Sequence, residues 1–175
     1  MNSLNRAAQR VLAFGAGLSM ALVFVIIFLN ALRRYTMGRS VPWGEELPIY
    51  LTIYGVMFGI ALAYMQDRHI RFTVLTDMIA NRTRERLFVA VDVITIISGL
   101  ALSMAGHAFA MRRGHIDASG LKSAARWLAD TTGIDTLLWV GKVGTWQYAI
   151  AIGGALLAIA ALLRLIERLS SMRSI

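Results

Sequence analysis

Four long apolar runs constrain this chain more than any other feature. They are Val11–Leu32, Leu47–Met65, Leu87–Met111 and Gly144–Leu163. At a helical rise of ~1.5 Å per residue, each is about long enough to cross a hydrocarbon core of ~30 Å. Backbone inside lipid must satisfy its own hydrogen bonds, so apolar runs of this length fold as helices. The expected fold is an all-α integral membrane protein: a single four-helix membrane domain over residues 1–175. Its transmembrane helices are expected at about 11–32, 45–65, 87–111 and 144–164, with short interfacial helices in the connectors. Mean hydropathy is +0.61. Charged residues are 16% of the chain, against about 25% in soluble domains, so little sequence is left for a soluble domain.

The net charge of +8 would point to nucleic acid in a soluble protein. Here the arginines sit at the ends of apolar runs, where they anchor and orient helices, and no nucleic-acid partner is expected. The absence of cysteine excludes disulfides, thiolate metal sites and Cys-ligated iron–sulfur clusters. Arg6 and Arg10 precede the first run as they would in a signal peptide. That run is longer than the ~7–15 residues of a signal h-region, so it reads as a retained first helix. Basic residues favour the side holding both chain ends by ten to eight, a small bias toward cytoplasmic termini.

The connectors carry their own patterns. Ile70, Val74, Leu75 and Met78 recur at helical spacing among the arginines of 69–86, as in a helix lying on the membrane surface. In 112–143, Ser119 is placed to cap a helix whose face holds Leu121, Ala124, Ala125 and Leu128, with Gly133 as its stop. Asp135 is placed to cap a second piece over 136–142. Trp127 would sit at the interface.

The densest group of charges lies between the first two runs. Arg33, Arg34, Arg39, Glu45 and Glu46 flank a short connector with Trp43 inside it. Charges beside a bilayer are costly unless they reach water, headgroups or one another. They can pair to fix the turn, dock a partner subunit, or snorkel to the headgroups. Glu45 and Glu46 fall in the first turn of the second helix, where acid complements the helix dipole, and Pro48 follows them. Gly55 and Gly59 form a Gly-x-x-x-Gly pair that suits close helix packing in lipid. Gly153, Gly154 and Ala158 give the fourth helix a similar small face.

Asp92 is the one acid inside an apolar run. An intramembrane carboxylate can carry protons or sodium. However, Asp92 is about one and a half turns into its run, close enough to the interface for hydration, and has no acidic neighbour on another run. Pairing with an arginine is the expectation, and its loss is expected to matter less than that of Glu46. His107 is the one histidine inside a run, and haem would need a second at matching depth. His69 and His115 fall in connectors. No phosphate loop, nucleophile elbow or metalloprotease motif is present. No enzyme activity, metal site or cofactor is expected.

The ordered set Arg34-Tyr35, Trp43, Glu45-Glu46-Leu47, Tyr50, Gly59 and His69-Ile70 resembles the small membrane subunit of tripartite ATP-independent periplasmic (TRAP) transporters, the DctQ-like family. One departure is Thr73, which stands where the family carries an Asp after the His-Ile pair. The resemblance implies a bacterial inner-membrane subunit with cytoplasmic termini. It would bind a large membrane subunit that carries the substrate and sodium sites, and its periplasmic connectors would help seat a periplasmic binding protein that captures an organic acid. Arg34, Tyr35, Trp43, Glu45 and Glu46 are the candidate partner-binding or structural cluster, and Gly55 and Gly59 the candidate helix-packing pair. The alternatives are a self-sufficient small oligomeric carrier or channel and a haem-bearing membrane anchor.

Overall fold

Five α-helices and one 3₁₀ helix carry residues 2–66 and 81–172, the portion described by a computed structural model. α1 spans Asn2–Met37, α2 Trp43–Met65, α3 Asn81–Arg112, α4 Lys122–Thr132 and α5 Val143–Met172. The 3₁₀ helix, Asp135–Gly141, joins α4 to α5. The expected surface helix through Ile70, Val74, Leu75 and Met78 lies outside the described residues. α1, α2, α3 and α5 are each long and apolar enough to span a membrane. α1, α3 and α5 run beyond their apolar stretches, to 36, 32 and 30 residues. Apolar side chains mark only the part in hydrocarbon, whereas the backbone ladder continues through the interface.

The turn between α1 and α2 is set by local chemistry. Gly38 adopts φ +70, and its N–H reaches the Arg34 carbonyl at 3.0 Å. Glycine takes this left-handed conformation without a Cβ clash, so α1 stops there. Pro42, with φ −56, stands just ahead of Trp43, the first residue of α2. The helix thus begins two residues before Glu45. Both glutamates remain in its first turn, and Pro48 lies inside it.

The four spans form a row in the order α1, α2, α5, α3. The extensive contacts are α1 with α2, α2 with α5, and α3 with α5. Of the most apolar window of each helix, 39% is buried in α5, 22% in α2, and only 11% in α1 and in α3. α5 is therefore the hub, and α1 and α3 are flanks with one narrow inward stripe each. On α1 that stripe includes Leu12 and Ser19, and on α3 it includes Asp92, Gly99, Gly106 and Ala110. Outside the stripes, Phe14, Phe24, Ile94 and Met104 are open.

Lipid tails are as apolar as leucine, so burial alone does not drive these helices together; close packing and polar bonds must. α3 and α5 meet through glycine. A Cβ on Gly106 would lie 2.6 Å from the Ala151 nitrogen, and one on Gly154 would lie 2.5 Å from the Ser103 nitrogen. Backbone touches backbone here, which larger side chains would forbid. α2 and α5 run in parallel: Tyr50 stacks on Trp146, and Met57 fills the space beside Gly153.

The α3–α5 connector folds back on α2. Its α4 stops at Gly133, φ +70, as expected. Its start differs from expectation: Leu121 is the N-cap, and no side chain caps the helix. The Ala118 carbonyl accepts from the Leu121 and Lys122 N–H groups instead, which leaves Ser119 exposed. Leu121 and Ala125 of the expected face are buried and Ala124 is partly so, but Leu128 is exposed and Ala129 takes the inward position instead; Trp127 is 66% exposed. Asp135 begins the expected second piece, which is 3₁₀, with Ile134 as its N-cap and no side-chain cap.

Candidate functional site

The row has two distinct ends. One holds the α1–α2 turn and the α3–α5 connector; the other holds both chain termini. The glutamates of the first end lie on α2 one residue apart, about 100° around the helix, so they face different surroundings. Glu46 is half-buried and turns inward. It accepts a hydrogen bond from the Gly120 N–H at 2.7 Å and another from the Tyr50 hydroxyl at 2.9 Å. Gly120 has no room for a side chain, since a Cβ would lie 2.4 Å from the Pro42 carbonyl oxygen. Leu47, Tyr50 and Trp146 pack on Ala118, Leu121 and Val143. The Trp146 indole N–H donates to the Val140 carbonyl at 2.8 Å. The inward half of the Trp-x-Glu-Glu-Leu…Tyr motif therefore clamps this chain's own connector.

The outward half is open. Tyr35 is 89% exposed and Trp43 37%, and Arg34 and Glu45 are exposed. Among the described residues, no ion pair joins Arg33, Arg34 or Arg39 to Glu45 or Glu46. Arg34, Tyr35 and Glu45 instead line a cleft of about 640 Å³ between the end of α1 and the start of α2. A second cleft, of about 490 Å³, lies between Glu45, Glu46 and Gly120. The two glycines of α2 also part company. A Cβ on Gly55 would run into Met20 and Ser19 of α1, whereas Gly59 faces open space.

At the terminal end the structure corrects the reading of Asp92. It is 1% exposed, not hydrated. Arg168 of α5 supplies the pairing, with its Nε 2.9 Å from the carboxylate, and its guanidinium lies 4.7 Å over the Phe88 ring. The Tyr64 hydroxyl of α2 donates to the other carboxylate oxygen. One carboxylate thus joins three helices. Nearby, Glu167 accepts from Asn5 of α1 and pairs with Arg164 at 3.1 Å. The sequence hid this because Asp92 lies inside the third run and Arg168 beyond the end of the fourth, and only the antiparallel pairing of α3 with α5 brings them together.

Two further residues escaped sequence reasoning. Asn30 Oδ1 accepts from the Val41 N–H at 2.7 Å and holds the α1–α2 turn, with Gly44 packed against its side chain. A lone Asn near the end of an apolar run was the available signal. Asp117 pairs with Lys122 at 2.5 Å and Lys142 at 2.6 Å. The Lys122 hydrogen bond, then that of Lys142, holds its carboxyl down at about 2. These contacts close the connector across an Asp117–Lys142 bridge. His107 lies exposed on α3, its ring 5.7 Å from that of Tyr148. His69 is outside the described residues.

Comparison with known proteins agrees with this architecture. The pattern of the family "Tripartite ATP-independent periplasmic transporters, DctQ component" matches residues 23–171. The chain is 22% identical over 109 residues to the sialic acid TRAP transporter small permease protein SiaQ of Vibrio cholerae serotype O1, covering 62% of this chain and 63% of that protein. It is 33% identical over 58 residues to a Haemophilus influenzae protein assigned as a TRAP transporter small permease, covering 33% of this chain and 36% of that protein. In both matches the chain spans less than two thirds of the relative's length.

Proposed function

The chain belongs to the DctQ family of tripartite ATP-independent periplasmic transporters, a multi-pass protein of the bacterial inner membrane, and from that premise we propose that it binds and supports a large transport subunit and does not itself move substrate. The observation that carries this reading is the open row. α1 and α3 each bury one narrow stripe and leave broad apolar flanks, which suit a second membrane protein. The row also lacks the means for transport on its own. Among the described residues Asp92 is the one buried ionisable side chain, and Arg168 and Tyr64 already hold it. A carboxylate fixed in this way is structural. No enzymatic step belongs to this chain.

In this proposal, Arg34, Tyr35, Trp43 and Glu45 form the polar rim of the subunit contact, while Glu46 fixes the connector from within. Gly55 serves packing inside the chain. The complete importer is secondary and draws on a sodium gradient. Its substrate is an organic acid delivered by a periplasmic binding protein. Both termini are cytoplasmic, so the α4 connector faces the periplasm and helps seat that binding protein.

Reconstitution tests the proposal. The purified chain in liposomes with a sodium gradient should accumulate no labelled organic acid, and addition of the large subunit and binding protein should give uptake. Gradient-driven accumulation by the chain alone would overturn it. Cysteines placed at Ser3 and Ser174 should resist an impermeant thiol reagent applied from the periplasmic side.

A further inference from the structure

The geometry points to a phospholipid site in the cleft between the C-terminal end of α1 and the N-terminal half of α2, with selectivity for a zwitterionic headgroup bearing a primary ammonium. The cleft has a volume of about 640 Å³. Its mouth is polar, with Arg34 and Tyr35 from α1 and Glu45 from α2. Below the mouth the lining is uncharged and mostly apolar, with Asn30 and Thr52 as its polar members. Ile27 lies two helical turns before Arg34 and Ile49 one turn after Glu45, with Ala31 between Ile27 and Arg34. The lining therefore changes from charged to uncharged and mostly apolar along the helix axes, in the same sense as a lipid.

The charges define the headgroup. Arg34 and Glu45 stand on the two helices that flank the cleft and do not pair with each other or with any other described side chain. Charges beside a bilayer are met by water, headgroups or one another, and Arg34 and Glu45, exposed at the cleft mouth, are open to the first two. A phosphate matches the guanidinium, which can donate to two of its oxygens at once. An ammonium one short linker away matches the Glu45 carboxylate. One zwitterionic headgroup supplies both. An anionic headgroup would satisfy Arg34 and leave Glu45 repelled. A trimethylated ammonium carries the charge but has no N–H to donate. Trp43, half-open at the start of α2, places the mouth at the depth where indole rings favour the membrane interface. The cleft shares Arg34, Tyr35 and Glu45 with the rim of the subunit contact proposed above, so the bound lipid lies at the edge of that contact, while its binding to the isolated chain requires only the bilayer.

Native mass spectrometry of the full purified chain tests this. The chain is exchanged into detergent containing phosphatidylethanolamine, its mono- and dimethylated forms, phosphatidylcholine or phosphatidylglycerol. One phosphatidylethanolamine should be retained per chain, and retention should fall stepwise with methylation. Glu45→Gln should lower phosphatidylethanolamine retention by about tenfold, toward the phosphatidylcholine level, as loss of one charge-assisted hydrogen bond implies. Arg34→Gln should lower retention of all the phospholipids. Thermal unfolding of both variants should match the parent, because neither side chain has a partner among the described residues. Equal retention of all headgroups by the parent chain would overturn the site without recourse to any variant. So would unchanged retention in Glu45→Gln alongside weaker co-purification of a large subunit, since that pattern assigns the cleft to a protein partner.

Discussion

At the terminal end, Asp92 is 1% exposed and joins α3 to Arg168 on α5 and Tyr64 on α2. At the connector end, Glu46 is half-buried and joins α2 to a backbone N–H at Gly120 and to a tyrosine one turn along its own helix. Both are single carboxylates holding separate segments together, yet they do so differently. The Asp92 junction is charge against charge, deep between helices, and depends on the side chain at each of its three positions. The Glu46 junction reads a backbone group, so it asks only that residue 120 be small enough to let the carboxylate approach. A bundle held in lipid can use the first kind where helix order must be fixed, and the second where a connector has only to be seated.

The largest effect expected from breaking one end belongs to Asp92. Asp92→Ala leaves Arg168 without its buried counter-charge, a loss that costs roughly 3–5 kcal/mol. Asp92→Asn keeps an acceptor for Tyr64 and should cost less. Unfolding of the detergent-solubilised chain measures both, and an Asp92→Ala variant as stable as the parent would remove the distinction between the two ends. This ordering reverses the expectation from sequence, in which Glu46 outranked Asp92.

Next comes the packing that aligns the Asp92 junction. Gly106→Val forces a side chain into the Ala151 backbone, and overpacking of this kind costs about 1–3 kcal/mol or more. Gly59→Ala places its methyl in open space and should stay within about 0.5 kcal/mol of the parent. If the two glycine variants unfold alike, close backbone approach is not what holds α3 to α5.

Glu46→Gln should follow, at about 1–2 kcal/mol for a weakened charge-assisted bond. Its signature is local: hydrogen exchange at the Gly120 amide should accelerate while amides around Asp92 stay protected. Faster exchange at both ends would show that the ends are coupled, contrary to the comparison.

The smallest effect is the pH response of Asp117. Its two lysines hold the folded pKa at about 2, below the ordinary value of 3.8. The stabilisation is therefore complete above the unfolded pKa and is lost as pH falls from about 3.8 through about 2. The site is exposed, so the change should appear as opening of the Asp117–Lys142 bridge and not as global unfolding. Carboxyl chemical shifts of Asp117 should titrate near 2 in the parent and closer to 3.8 in Lys122→Gln. An unchanged midpoint would show that the lysines do not govern it.

The sequence made some of this legible because the signals are local. Four apolar runs specify four helices, Gly133 stops α4 where its pattern ends, and the Arg-Tyr…Trp-x-Glu-Glu-Leu set marks the family later matched over 23–171. Side-chain direction was harder. Glu45 and Glu46 look equivalent as neighbours, but a helix turns about 100° per residue and sends one to the cleft and the other to Gly120. Gly55 and Gly59 share a motif, yet only Gly55 meets α1. Ser119 suited a cap by type, but the Ala118 carbonyl took the first bonds of the α4 turn.

What the sequence determined by itself is how many helices cross the membrane, roughly where they lie, and which connector carries the family's charges, because each follows from composition along a few turns of chain. Which helices touch was left to the tertiary structure. Lipid solvates every apolar face equally, so hydropathy cannot rank one helix pairing above another. The row order α1, α2, α5, α3 is decided by glycines that admit neighbouring backbone and by Asp92 finding Arg168 and Tyr64, and those matches exist only once helices distant in sequence lie side by side.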